Sequence, residues 1–102
     1  MSLHPKFILT ADGHLRLGMV HLHRELIEPE DHCIGGGFFR FDTHTLRLVL
    51  EHASYDYGPP QWSRVDHIII PRDYQGLTPV YLISEWNDEH INLLDTHTVT
   101  YE

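Results

Sequence analysis

The sequence predicts a mainly β protein: one small domain on a mostly antiparallel sheet, sandwich or half-open barrel, with at most one or two short helices. Three observations carry this. Turn-forming residues punctuate the chain roughly every eight to twelve residues, the spacing of short strands joined by tight connections. Several of the runs between them alternate apolar and polar side chains, the period of a half-buried strand. Aromatic residues make up 11% of the chain, and rings pack well on pleated surfaces.

Residues 6–10 (KFILT) read as the first strand. Ala11-Asp12-Gly13 is a hairpin turn, because Asp-Gly tolerates positive φ. Residues 14–23 (HLRLGMVHLH) return. Strict alternation from Leu15 and Leu17 would throw Val20 and Leu22 onto the opposite face. A bulge at Gly18 restores them to the apolar face and turns His21 and His23 to solvent. Residues 23–27 form a helical turn, stopped by Pro29. Residues 28–37 (EPEDHCIGGG) are a loop.

Residues 38–42 make a strand with Phe39 and Phe41 on one face. Residues 46–52 (LRLVLEH) make another, with Leu46, Leu48 and Leu50 inward. Residues 53–63 are the longest irregular stretch. Residues 65–70 (VDHIII) predict a central strand covered on both faces. Residues 71–76 connect it to a strand at 79–84, and residues 91–94 and 99–101 form a last hairpin. A short helix over 84–94, capped by Ser84, is the less favoured alternative there. Residues 6–10 and 99–101 are the expected sheet edges. The run Asp42-Thr43-His44-Thr45 recurs as Asp95-Thr96-His97-Thr98, which reads as two similar turns with the aspartate bonding its own backbone.

At 102 residues the chain fits a single domain, 1–102, with Met1-Ser2-Leu3 resembling an expression-vector leader. Hydrophobic residues at 41% and charged residues at 22% are ordinary for a packed core. Cys33 is the one cysteine, so no disulfide framework is available and a reduced, cytoplasmic protein is expected. The first ten residues carry no signal-peptide pattern. The longest purely apolar run, Ile68-Ile69-Ile70, is far too short to span a bilayer. Fifteen acids against seven bases leave a net charge of −8 and argue against a nucleic-acid partner. They suit a basic protein partner. Ten histidines, fully protonated, would carry that charge to +2.

Several residues invite a chemical reading. His21-x-His23 on a strand would place two imidazoles on one face, roughly 7 Å apart. They would be the first candidates for a metal, but a third ligand at metal-site spacing is missing, and no metal or other cofactor is expected. Cys33 beside His32 lacks the geometry of a nucleophile and its base, since strand neighbours point to opposite faces. The run Gly35-Gly36-Gly37 leads into a strand and not into a helix, so it does not read as a phosphate cradle. Glu51-His52 and Asp66-His67 flank one loop and would converge if their strands paired.

The most distinctive segment is residues 54–62 (SYDYGPPQW). Tyr55, Asp56, Tyr57 and Trp62 surround a stiff Gly-Pro-Pro and form the candidate binding site. The stronger competing reading has Trp62 and one tyrosine simply closing the end of the core. The function favoured by these features is a cytoplasmic protein-interaction domain with an acidic surface, of inhibitor or immunity type in its sharpest form. A monomer or weak homodimer is expected. The alternative is a small metal- or acid–base-dependent enzyme using His21, His23, His52 and His67.

Overall fold

The computed structural model of the protein describes residues 2–52 and 57–102. Strands β1 (His4–Thr10) and β2 (Leu15–Val20) form the opening hairpin. Gly13 takes φ 92° in its turn, and a Cβ there would stand 2.0 Å from the His67 carbonyl oxygen, so only glycine fits. A 3₁₀ turn, His23–Leu26, leads through a loop into β3 (Cys33–Asp42) and β4 (Arg47–Glu51). Then come β5 (His67–Ile70), β6 (Thr78–Ser84), β7 (Glu89–Asn92), the single-turn helix α1 (Leu93–Thr96) and β8 (Thr98–Tyr101). Among the described residues strand accounts for 49% and helix of all kinds for 14%, the mainly β balance expected.

Six strands form one sheet in the order β2-β1-β3-β4-β6-β7. All neighbours are antiparallel except β4 and β6. A parallel pair needs a long crossover. That crossover carries β5 across the sheet, where β5 pairs in parallel with β8. A bridge between His14 and Ile69 ties this second, two-stranded layer back to β2. Between the layers lies the core. Phe7, Leu9, Leu15, Phe39, Leu48 and Leu50 from the large sheet meet Trp62, Val65, Ile68, Ile70 and Leu93. A smaller cluster of Val49, Val80 and Leu82 lies on the other face. The radius of gyration, 12.7 Å, matches the ~13 Å of a single domain this size.

The structure corrects several local expectations. Gly18 pairs regularly with Lys6, and no bulge interrupts β1 and β2. Met19 therefore shares the core face with Leu15 and Leu17, and Val20 falls on the face of Gly18. The reason is Leu26, whose Cδ2 would sit 2.9 Å from a Cβ on Gly18. The turn that follows β2 folds back over that second face and supplies its cover. Leu22 is exposed, and His23 is buried where solvent was expected.

Strand β1 is interior and not an edge, because the hairpin supplies one neighbour and β3 the other. The isoleucine-rich β5 is not central in the large sheet; it buries Ile68 and Ile70 from the second layer. Leu46 takes φ 53° in the β3–β4 turn and is exposed, outside the alternation of Leu48 and Leu50. The segment after β6 is a strand, as favoured, but β7 and β8 join different layers and form no hairpin. The two copies of the four-residue repeat also differ. Asp42 Oδ1 accepts from the amides of His44 (3.1 Å) and Thr45 (3.3 Å), an Asx-type turn. In the second copy Asn92 caps a helical turn, its side chain accepting from the Leu94 amide at 2.9 Å.

Candidate functional site

Of the aromatic-loop residues, Tyr55 and Asp56 lie outside the described residues. Trp62 is buried, stacked on Phe7 and edge-on to Tyr81 and His97. Tyr57 is half-buried and packs edge-on against His23, 6.0 Å between ring centres. Trp62 therefore closes the core, and Tyr57 packs over the opposite face of the sheet.

The candidate histidines occupy separate surroundings. His21 donates from Nδ1 to the Ser2 carbonyl at 3.1 Å. His23 donates from Nε2 to the Gly37 carbonyl at 2.9 Å in a buried site. His67 shares a 2.8 Å hydrogen bond with Thr100. His52 follows β4 and is exposed. Among the described residues no three His, Cys, Asp or Glu side chains gather around a common point that would hold a metal ion.

Strands β4 and β5 belong to different sheets, so Glu51-His52 and Asp66-His67 are not brought together. Burial first, and the charge of Asp31 with it, push the Cys33 thiol above its usual range. The triple glycine is strand, and it exists for close backbone approach. A Cβ on Gly35 would stand 2.4 Å from Pro60 Cα, and one on Gly37 would stand 2.0 Å from the Glu51 carbonyl.

One member of the acid–histidine set does line a concave site. Where β4 and β6 end, Glu51, His52, Tyr81, Leu82, Ile83 and Glu85 surround a hollow of about 330 Å³. Pairing places Glu51 opposite Leu82. The chain then leaves β6 through a tight turn in which Asp88 takes φ 53°, bringing Glu85 to the same mouth. Burial first, then a hydrogen bond with the Glu85 carboxyl, push Glu51 above the usual carboxylate range. Arg40, 3.9 Å away, pulls in the opposite direction. Next to Glu85 in the chain stands Trp86, 99% exposed, and Ile83 in the lining is 53% exposed.

Sequence reasoning singled out Glu51 and His52 but not Glu85. The available signal was the Asn87-Asp88 turn, which puts Glu85 and Trp86 at the tip of a hairpin. A carboxylate pair in a hollow with apolar walls can hold a cation.

No family model, curated protein or solved structure matches the chain. Among the described residues no helix is long and apolar enough to cross a membrane.

Proposed function

We propose that the protein is an interaction domain whose acidic hollow receives a lysine or arginine side chain of a basic protein partner. The observation that supports this best is the sharing of one hollow by Glu51 and Glu85, with a fully exposed tryptophan following Glu85 in the chain. Trp86 has no part in the core, yet it is the side-chain type that most often anchors interfaces. Its ring offers a face for a guanidinium or a lysine stem. Two carboxylates that repel each other gain from a cation more than isolated ones do. The net charge of −8 adds long-range attraction for a basic partner and speeds encounter. Inhibition or neutralisation of a basic protein is the sharpest form of this reading. The cytoplasm is its setting, where the lone thiol Cys33 stays reduced. The acid–base alternative gains no support from histidines on separate elements.

The test is calorimetric titration with a hexa-arginine peptide at low and moderate salt. Charge alone attracts this probe, so a charge-matched control is needed. Glu51→Gln with Glu85→Gln removes two charges from the hollow; Glu28→Gln with Glu30→Gln removes two exposed ones elsewhere. The first pair is expected to weaken binding about tenfold more than the second, a difference of ~1.4 kcal/mol. Trp86→Ala is expected to weaken it with no change of charge. Equal losses for both pairs, with no effect of Trp86→Ala, would reduce the binding to diffuse attraction and overturn the proposal.

A further inference from the structure

We propose that two copies of this chain pair through β2, edge to edge and antiparallel, joining their six-stranded sheets into one. Strand β2 ends the sheet order. Apart from the His14–Ile69 bridge just before it, its outer side has no strand neighbour among the described residues. That bridge holds the outer side at Leu15; from Arg16 to Val20, among the described residues, the strand pairs with β1 alone. Its register with β1 is regular over the whole length, and it holds no proline. These are the properties that leave an edge open to another strand. A partner for such an edge must itself be an extended chain, because only that satisfies a row of backbone donors and acceptors.

The opposite edge is built differently. Strand β7 has four residues, reads EHIN, and its pairing with β6 contains a register shift. A β2-to-β7 contact would also be heterologous and would not close on a pair of copies. Pairing of β2 with β2 of a second copy closes on a two-fold axis.

Two further observations favour a second copy as the occupant. Beside β2 lies a hollow of about 380 Å³ with Pro5, Met19, Phe39, Phe41 and Tyr74 among its walls. It is the uncovered end of the core face: Met19 is 57% and Phe41 50% exposed. Antiparallel pairing at β2 would set the second copy's Met19 on the same side of the extended sheet, next to this surface. Charge points the same way. None of the fifteen acids falls between residues 13 and 24. Arg16 is already paired within its own chain, to Asp31 at 2.8 Å and Glu28 at 3.5 Å. Two copies meeting here bring no bare charge together, and the acidic hollow at β4 and β6 stays remote along the sheet order.

Sedimentation equilibrium of the full chain, from low to high micromolar concentration, tests this. A concentration-dependent dimer is expected, tighter at high salt because net charges are screened. Met19→Lys is expected to weaken dimerisation about tenfold or more, and Met19→Leu to leave it within about twofold. Circular dichroism checks that both variants keep the fold. Hydrogen exchange on the unmodified chain gives a second measurement, in which protection of β2 amides should rise with concentration. A monomer throughout overturns the proposal. So does a dimer that Met19→Lys leaves intact, or protection that rises elsewhere and not in β2. Capture of a foreign strand at β2 by a monomeric chain would overturn it equally.

Discussion

The indole of Trp62 lies against the ring of Phe7, 6.3 Å between centres and 18° from parallel. Phe7 belongs to the interior strand β1, and Trp62 to a 3₁₀ turn in the crossover that passes over the sheet. His97 joins them from the other layer, donating from Nε2 to the Trp62 carbonyl at 2.7 Å. One ring thus ties crossover, sheet and second layer together. Trp62→Ala is expected to cost ~3–5 kcal/mol, the range for a large aromatic removed from a core. Trp86→Ala, at a fully exposed position, should stay within ~0.5 kcal/mol. Urea unfolding of the two variants is the measurement. Similar midpoints for both would mean that Trp62 does not hold the core together while Trp86 stands outside it.

Gly37 makes a sharper prediction about backbone. A Cβ there meets the Glu51 carbonyl oxygen at 2.0 Å, and backbone cannot rotate away as a side chain can. Gly37→Ala must displace β3 from β4, and a loss above ~3 kcal/mol is expected. Gly76 has φ +98° but nothing within 4 Å of its Cβ position. Gly76→Ala carries conformational strain alone, ~1–2 kcal/mol. Thermal unfolding should place the two variants far apart.

The mainly β class was legible because it rests on local signals: turn residues, alternation and aromatic content. What escaped the sequence depends on contacts between distant segments. Nothing near Gly18 announces that Leu26 will fold back over it. That contact, and not a bulge, sets the role of Val20. The burial of His23 depends on a carbonyl fourteen residues away, at Gly37. The two copies of Asp-Thr-His-Thr diverge because Asn92 precedes only the second. Of the acidic hollow, Glu51 and His52 were legible as an acid–histidine pair. Glu85 was not, because its approach depends on the pairing of β4 with β6.

The ion pair between Arg16 and Asp31 predicts how stability responds to acid. The two side chains meet at 2.8 and 3.1 Å, a two-point contact, and the Asp31 side chain is only 9% exposed. The Arg16 guanidinium holds Asp31 below its ordinary range. The folded state therefore binds that proton less tightly than the unfolded chain. Its stabilisation is present above the ordinary carboxylate range and is lost as pH falls through the lowered value. Asp31→Asn is expected to cost ~1–3 kcal/mol at pH 7, as for a charge-assisted hydrogen bond. The difference from the unmodified chain should shrink as both are acidified. Unfolding midpoints across the acid range will show this; a constant gap would mean that Asp31 acts through packing alone.

Glu51 predicts the opposite sign. Burial and the Glu85 carboxyl raise its pKa in the folded state, so folding favours the protonated form. Its contribution is most favourable at low pH and is lost as pH rises through the raised value. At neutral and alkaline pH the ionised group is then a liability to the fold. Glu51→Gln keeps the shape and hydrogen-bonding capacity of the protonated acid. It is expected to leave stability unchanged in acid and raise it modestly, by less than ~1 kcal/mol, above neutrality. The same residue predicts a signature of binding. A lysine or arginine entering the hollow favours ionised Glu51 and so expels whatever proton it holds. Calorimetry of a basic peptide near the midpoint of that titration, in buffers of different ionisation enthalpy, should register the release. Glu51→Gln should abolish it. If Glu51→Gln weakens binding while proton release persists, the proton comes from another group. The cation would then not be seated between Glu51 and Glu85.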